Sequence, residues 1–232
     1  MENTNVDIYN SGMDYAPCNG VMEKDGYCPS ETEINEFIHF FADRKVPFVW
    51  WTSNQILENF GFQYGGILTG IALDMSNQKL QLPTFASEVS IKLIQSEEEI
   101  LTFSHVAVEG FGMPSHTVEQ FAKVNIGTMK AREQLHFLAY FNKSPVGTVT
   151  LSVNENSAGI WNLATLANYR KSGIGKALIA SALMEAKNLG HKHVMAILMP
   201  KGMAWGIFMQ LGFVENSRFP FYVFGDSAEN LE

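Results

Sequence analysis

Asn168-Tyr169-Arg170-Lys171-Ser172-Gly173-Ile174-Gly175-Lys176-Ala177-Leu178 joins an apolar run to an amphipathic one through a basic, glycine-containing turn. A helix that starts here opens with four backbone N–H groups lacking intrahelical acceptors, at the positive end of its macrodipole. Gly173 and Gly175 carry no Cβ to hold an anion away from those donors. Arg170, Lys171 and Lys176 add full positive charges around the turn. The stretch reads as a cradle for a phosphate or pyrophosphate.

The flanks agree with that reading. Upstream, residues 158–166 form an apolar run of strand type. Downstream, Ile174, Leu178, Ala182, Ala186 and Leu189 line one stripe of a helix that Gly190 stops. A second strand follows over 193–199, then a short helix closing in Leu211-Gly212-Phe213.

In this setting Leu163 to Gly175 resembles the acyl-CoA signature of the GNAT superfamily of N-acyltransferases. Arg170, Gly173 and Gly175 stand at the fixed positions of its Arg/Gln-x-x-Gly-x-Gly/Ala core. A second family signature is traceable through Lys201, Ala204, Ile207, Phe208, Gly212 and Phe213. The resemblance spans about Val89 to Phe224. It implies an α/β (α+β) GNAT fold, a mixed twisted sheet flanked by helices, and an acyltransferase that uses acetyl-CoA.

Carried over by position, the resemblance assigns cofactor contacts to Leu163, Ala164, Thr165 and Leu166 for the pantetheine arm. It assigns Arg170, Lys171, Ser172, Gly173, Ile174, Gly175 and Lys176 to the pyrophosphate, and Lys201 and Phe208 to the second signature. The backbone N–H of Leu163 is the expected oxyanion donor, and Phe111 and Trp161 are the expected acceptor contacts. Two positions depart from the family pattern. Lys201 replaces an Asn, and Phe208 replaces a Tyr that protonates the leaving thiolate. A phenyl ring donates no proton, so Tyr222 on the last strand is the candidate substitute. No carboxylate stands between Gly159 and Leu166 to act as general base; a water chain is the alternative, and Glu109 and His116 flank the expected acceptor loop.

Composition sets the outer limits. The chain has 232 residues, 46% hydrophobic and 17% charged, as an ordinary globular protein does. No apolar run reaches the ~20 residues of a membrane span, and the first twenty residues lack a signal-peptide pattern, so the expected location is cytoplasmic, away from membranes. Cys18 and Cys28 have no ligand-spaced partners, and no metal is expected. The formal net charge of −8 is concentrated at the start: residues 1–85 hold eleven acidic and four basic side chains. That balance gives no support to nucleic-acid binding; it is the balance of an acidic solvated surface and is compatible with a cationic amine acceptor.

The same acidic region reads as a partial repeat. Ser30 caps a helix over 31–42 with Glu33 at the capping-box position, and Ile34, Phe37, Ile38 and Phe41 share a face. A β-rich run from Val46 to Thr52, a short helix ending at Gly61-Phe62 and an apolar run to Met75 follow. This order matches the one after Ile174, without the Arg-x-x-Gly-x-Gly turn. Residues 1–85 are therefore expected to be a degenerate GNAT-like half-unit that binds no CoA, and 86–232 the N-acetyltransferase domain, with a linker over 76–87. Trp50 and Trp51 are expected on opposite strand faces. The function implied is transfer of an acetyl group from acetyl-CoA to a primary amine of a small molecule or peptide. A non-catalytic acyl-CoA sensor and an interaction protein on the same scaffold are the alternatives.

Overall fold

A computed structural model describes residues 5–24, 26–76 and 88–225. In chain order the strands are β1 (Val6–Asn10), β2 (Asn19–Glu23), β3 (Phe48–Trp51), β4 (Gln63–Asp74), β5 (Val89–Leu93), β6 (Gln134–Phe141), β7 (Ser144–Val153), β8 (Ala158–Thr165), β9 (His193–Leu198) and β10 (Val214–Phe224). The helices are α1 (Glu31–Ala42), α2 (Glu97–Phe111), α3 (Val118–Lys130), α4 (Ile174–Asn188) and α5 (Trp205–Gln210).

These elements fall into two compact units, one running to Thr69 and resuming at Ser217, the other spanning Gly70–Asn216. The divisions therefore fall inside β4 and β10, because residues group with the strands they bond rather than with their chain neighbours. The expected boundary at 85/86 lies outside the described residues, as does the expected linker apart from Ser76.

In the first unit the strands run in the order β1-β2-β3-β10-β4. β1 pairs antiparallel with β2, β2 parallel with β3, and β3 antiparallel with β10. The parallel pair requires a crossover, which α1 supplies. Helix α1 starts where its capping box dictates: Ser30 Oγ accepts from the Glu33 N–H, and the Glu33 carboxylate accepts from the Ser30 N–H at 2.9 Å. Its Ile34, Phe37 and Phe41 are buried, with Phe41 stacked on Phe48 at 4.1 Å. Trp50 and Trp51 do point to opposite faces of β3. Both are packing residues, and each indole N–H has a partner, Glu23 for Trp50 and the Tyr9 hydroxyl for Trp51.

In the second unit the order is β4-β9-β8-β7-β6-β5. The β5–β6, β6–β7 and β7–β8 pairs are antiparallel, and β8–β9 is parallel across α4. Asn142 and Lys143, both with positive φ, make the tight β6–β7 hairpin turn. Strand alternation sends Phe137, Val149, Leu151 and Ile160 to one face, where they form a core with Ile174, Leu178, Ala182 and Ala186 of α4. His136, Leu138, Thr148 and Thr150 face the other way, toward α2 and α3; Phe103 of α2 lies edge-on to His136 at 5.1 Å. Leu189 departs from the expected stripe. It is half exposed because α4 ends at Asn188 and its C-cap turns out of the packed face.

Candidate functional site

The parallel ladder between β8 and β9 covers only Ala158–Ile160 against Val194–Ala196. β8 then continues through Trp161–Thr165 with no further β9 partner among the described residues, so the two strands part. A bulge marks the place. On the β7 side Thr150 pairs with Trp161 and Thr148 with Ala164, which leaves Asn162 and Leu163 opposite the single residue Val149. Asn162 takes a left-handed backbone, φ 51°. Asparagine is among the few residues other than glycine that enter this region readily. Two buried threonines hold it: Thr148 Oγ1 donates to the Asn162 carbonyl at 2.8 Å, and Asn162 Nδ2 donates to Thr150 Oγ1 at 3.1 Å. A bulge redirects one strand and frees its backbone from the ladder, so Leu163, Ala164 and Thr165 stand where an extended ligand has strand backbone to bond.

The start of α4 lies one turn further along the chain. Gly173 is its N-cap at φ 84° and offers no side chain to the helix N–H groups, and Lys171 before it is also left-handed at φ 62°. A non-glycine residue in that conformation costs of order 1–3 kcal/mol, and such strain persists where surrounding structure holds it. A Cβ added at Gly173 would meet nothing within 4 Å, so the space over the helix start is open. An uncapped helix end, open space and three basic side chains suit an anionic group, and the pyrophosphate assigned by the sequence fits these residues.

Arg170 has a structural task as well. Its Nε donates to the Thr165 carbonyl at 3.1 Å and its Nη2 to the Gly110 carbonyl at 3.2 Å. The guanidinium thus ties the C-terminal turn of α2 to the free part of β8. Gly110 permits the approach, since a Cβ there would lie 2.8 Å from the Ala164 Cβ. Phe111 follows immediately and is exposed. Trp161, also exposed, bonds Ser152 Oγ through its indole N–H at 2.8 Å, on the face that α2 covers.

The remaining expected residues lie on other elements, although Ile207 of α5 approaches the start of α4, where a Cβ on Gly175 would lie 3.3 Å from its Cδ1. Phe208 is buried in the α4 core, edge-on to Phe213 at 4.9 Å, because α5 is so short that its one inward position must anchor it. Lys201 is exposed in the turn before α5, with φ 62°. Tyr222 belongs to the first unit, buried beside Tyr64, and together with Ser53, Gln55, Glu58 and Pro220 it lines a cavity of about 260 Å³. Burial and the neighbouring Glu58 carboxylate raise its pKa, which holds its proton more firmly.

Sequence reasoning did not single out Asn162, Thr148, Thr150 or His136. The only signal was an Asn inside a β-branched and apolar run, a mild indication of a bulge. His136 is almost wholly buried, with Nδ1 2.9 Å from Thr150 Oγ1 and Nε2 beside the Asn125 backbone without a well-formed hydrogen bond. Burial pushes its pKa down to about 4, partly offset by the Asn125 backbone, so the ring is neutral at physiological pH. Among the described residues no group of three potential ligands could hold a metal, and no helix is long and apolar enough to cross a membrane.

Residues 99–213 match the family model of the acetyltransferase (GNAT) family. No curated protein matches the chain. Among solved structures it is similar to a functionally unknown conserved protein from Staphylococcus epidermidis ATCC 12228, at 17% identity over 96% of this chain and 92% of that one, TM-score 0.72. A GCN5-related N-acetyltransferase from Kribbella flavida is 14% identical over 95% and 87% of the two chains, TM-score 0.66. A tandem GNAT protein from the clavulanic acid biosynthesis pathway is 14% identical over 91% and 77%, TM-score 0.61. At these identities the likeness is one of fold, a mixed sheet flanked by helices.

Proposed function

Since this chain belongs, through residues 99–213, to the GNAT acetyltransferase family, we propose that its second unit transfers an acetyl group from acetyl-CoA to a primary amine of a small molecule or peptide. The observation that carries this reading is the parting of β8 from β9 next to an uncapped α4 start, all within one unit. In this reading the pyrophosphate takes the N–H groups at Gly173–Lys176, and the pantetheine arm bonds the freed backbone of Leu163–Thr165. Leu166 bonds Val146 through its N–H, which fixes the end of that segment against β7.

The neutral amine attacks the thioester carbonyl, the C–N bond forms, the C–S bond breaks, and the amine proton is lost to water or base while the thiolate departs. An alkylamine titrates near 10.4 and so needs deprotonation first. The Leu163 N–H would polarise the carbonyl; one such donor contributes about 3 to 4 kcal/mol. No carboxylate on β8 is available as base, and Phe208, a phenyl ring, has no proton to give the thiolate. Proton transfer contributes about 100-fold to 10,000-fold, so a slow enzyme is consistent with these absences.

Those absences also favour a second reading, an acyl-CoA sensor that binds without turnover. Calorimetry with CoA, followed by thiol release from acetyl-CoA across a panel of primary amines, separates the two. Binding at unit stoichiometry with amine-dependent release supports the transferase. Binding with release no faster than hydrolysis selects the sensor, and no binding removes both.

A further inference from the structure

His136 presents a problem that the reaction leaves unsolved. It is a buried imidazole on β6, edge-on to Phe103, whose Nε2 has only the Asn125 backbone beside it and no well-formed hydrogen bond, where an aliphatic side chain would satisfy the packing at lower cost. Its one side-chain bond goes to Thr150 on β7, and Thr150 bonds Asn162 on β8. Resting on the transferase reading, we infer that His136, Thr150 and Asn162 form a tether across three strands that sets the β8 bulge and thereby positions the Leu163 N–H for acyl transfer.

The donor and acceptor count makes the tether directional. Asn162 Nδ2 donates to Thr150 Oγ1, which has a single proton of its own to give. The Asn125 backbone beside Nε2 draws the imidazole proton to that nitrogen, which leaves Nδ1 of His136 as the acceptor in range for the threonine proton. His136 thus fixes the rotor of the threonine hydroxyl, and the fixed hydroxyl holds the side chain of a residue in left-handed conformation. Thr148 closes the other side by bonding the Asn162 carbonyl. Leu163 is the next residue, so any relaxation of Asn162 toward extended backbone rotates its amide. Displacement by an ångström of a group that acts on the reacting carbonyl is enough to cost about 100-fold. His136 and Thr150 touch neither acyl donor nor acceptor in this account and act as positioning residues.

The test is a cycle of Thr150→Val and Asn162→Gly in the full chain, with Thr150→Ser and His136→Leu alongside. Thr150→Val should lower kcat and kcat/KM for acetyl-CoA together by about 10-fold to 100-fold, while CoA affinity stays within about twofold, because the cradle at Gly173 is untouched. Thr150→Ser should restore both. In the Asn162→Gly background, where no side chain is held, Thr150→Val should change little more. Additive losses, or a folded Thr150→Val protein with unaltered kcat, would overturn the tether. If Thr150→Val fails to fold, His136→Leu decides, since it removes only the outer link; it should retain the parent melting temperature and speed hydrogen exchange at the Leu163 amide. Unchanged exchange there counts against the tether. That last readout needs no turnover, so it stands even if wild-type protein releases no thiol and the transferase reading itself fails.

Discussion

β2-α1-β3 and β8-α4-β9 follow one plan, a strand, a crossover helix and a parallel strand, and complete it in opposite ways. The start of α1 is sealed by its own side chains: the Glu33 carboxylate accepts from Ser30 and adds a negative charge where an anion would sit. The start of α4 has a bare glycine and neighbouring cations. The strands differ in the same sense. β2 runs only Glu23 past its last pair with β3, and that carboxylate accepts from Trp50 Nε1 and Thr52 Oγ1, stitching the strand ends together. β8 runs five residues past its last pair with β9. One unit spends its helix end and strand edge on its own hydrogen bonds, and the other leaves its helix end uncapped and its strand edge unpaired with β9 among the described residues.

The largest expected effect tests the open end. Gly173→Trp should weaken CoA binding at least about 100-fold, near 3 kcal/mol, because the indole fills the space that now lies open and the residue must hold φ 84°. Calorimetry on this variant and on wild type, where one CoA per chain is expected, checks it. A second equivalent of CoA bound by wild type would break the contrast between the two helices.

The next prediction concerns His136 beneath the bulge. The unfolded chain takes up a proton near pH 6.5, and the folded chain resists it until about pH 4. Stability should therefore be full above about pH 6.5 and decline as pH falls toward 4, by about 3 kcal/mol across the window. Urea unfolding at a series of pH values should show this slope in wild type and not in His136→Leu. Equal slopes in both proteins would clear His136 of the effect.

Phe208→Tyr asks whether that position belongs to the open site or to the core. A hydroxyl pushed into the packing around Phe213 should cost about 1 to 3 kcal/mol of stability without raising turnover. A variant of parent stability with faster thiol release would return the position to the site. The smallest effect belongs to the sealed helix: Ser30→Ala should lower stability by about 1 kcal/mol in denaturant unfolding and leave CoA affinity unchanged. A change in CoA affinity would show that the first unit is not the closed version of the plan.

Local chemistry was readable along the chain. Ser30 caps the helix its spacing announces, Gly61 and Gly173 occupy left-handed positions, and the strand-turn-helix at 158–188 forms as its periodicity requires. Each depends on residues within a few positions of one another, so the sequence alone determines it. The sequence also determined the family, because the glycine-containing turn at 170–175 is a contiguous motif. What only the tertiary structure decided are the relations between distant segments. Arg170 reaches the Gly110 carbonyl, sixty residues away; Phe208 turns into the core; Tyr222 joins Tyr64 and Glu58 in the first unit; and β8 parts from β9. The bulge at Asn162 is the clearest case. Its left-handed backbone is held by Thr148 and Thr150 from the next strand and, through Thr150, by His136 from the one beyond, and no local pattern specifies which side chains a sheet will bring side by side.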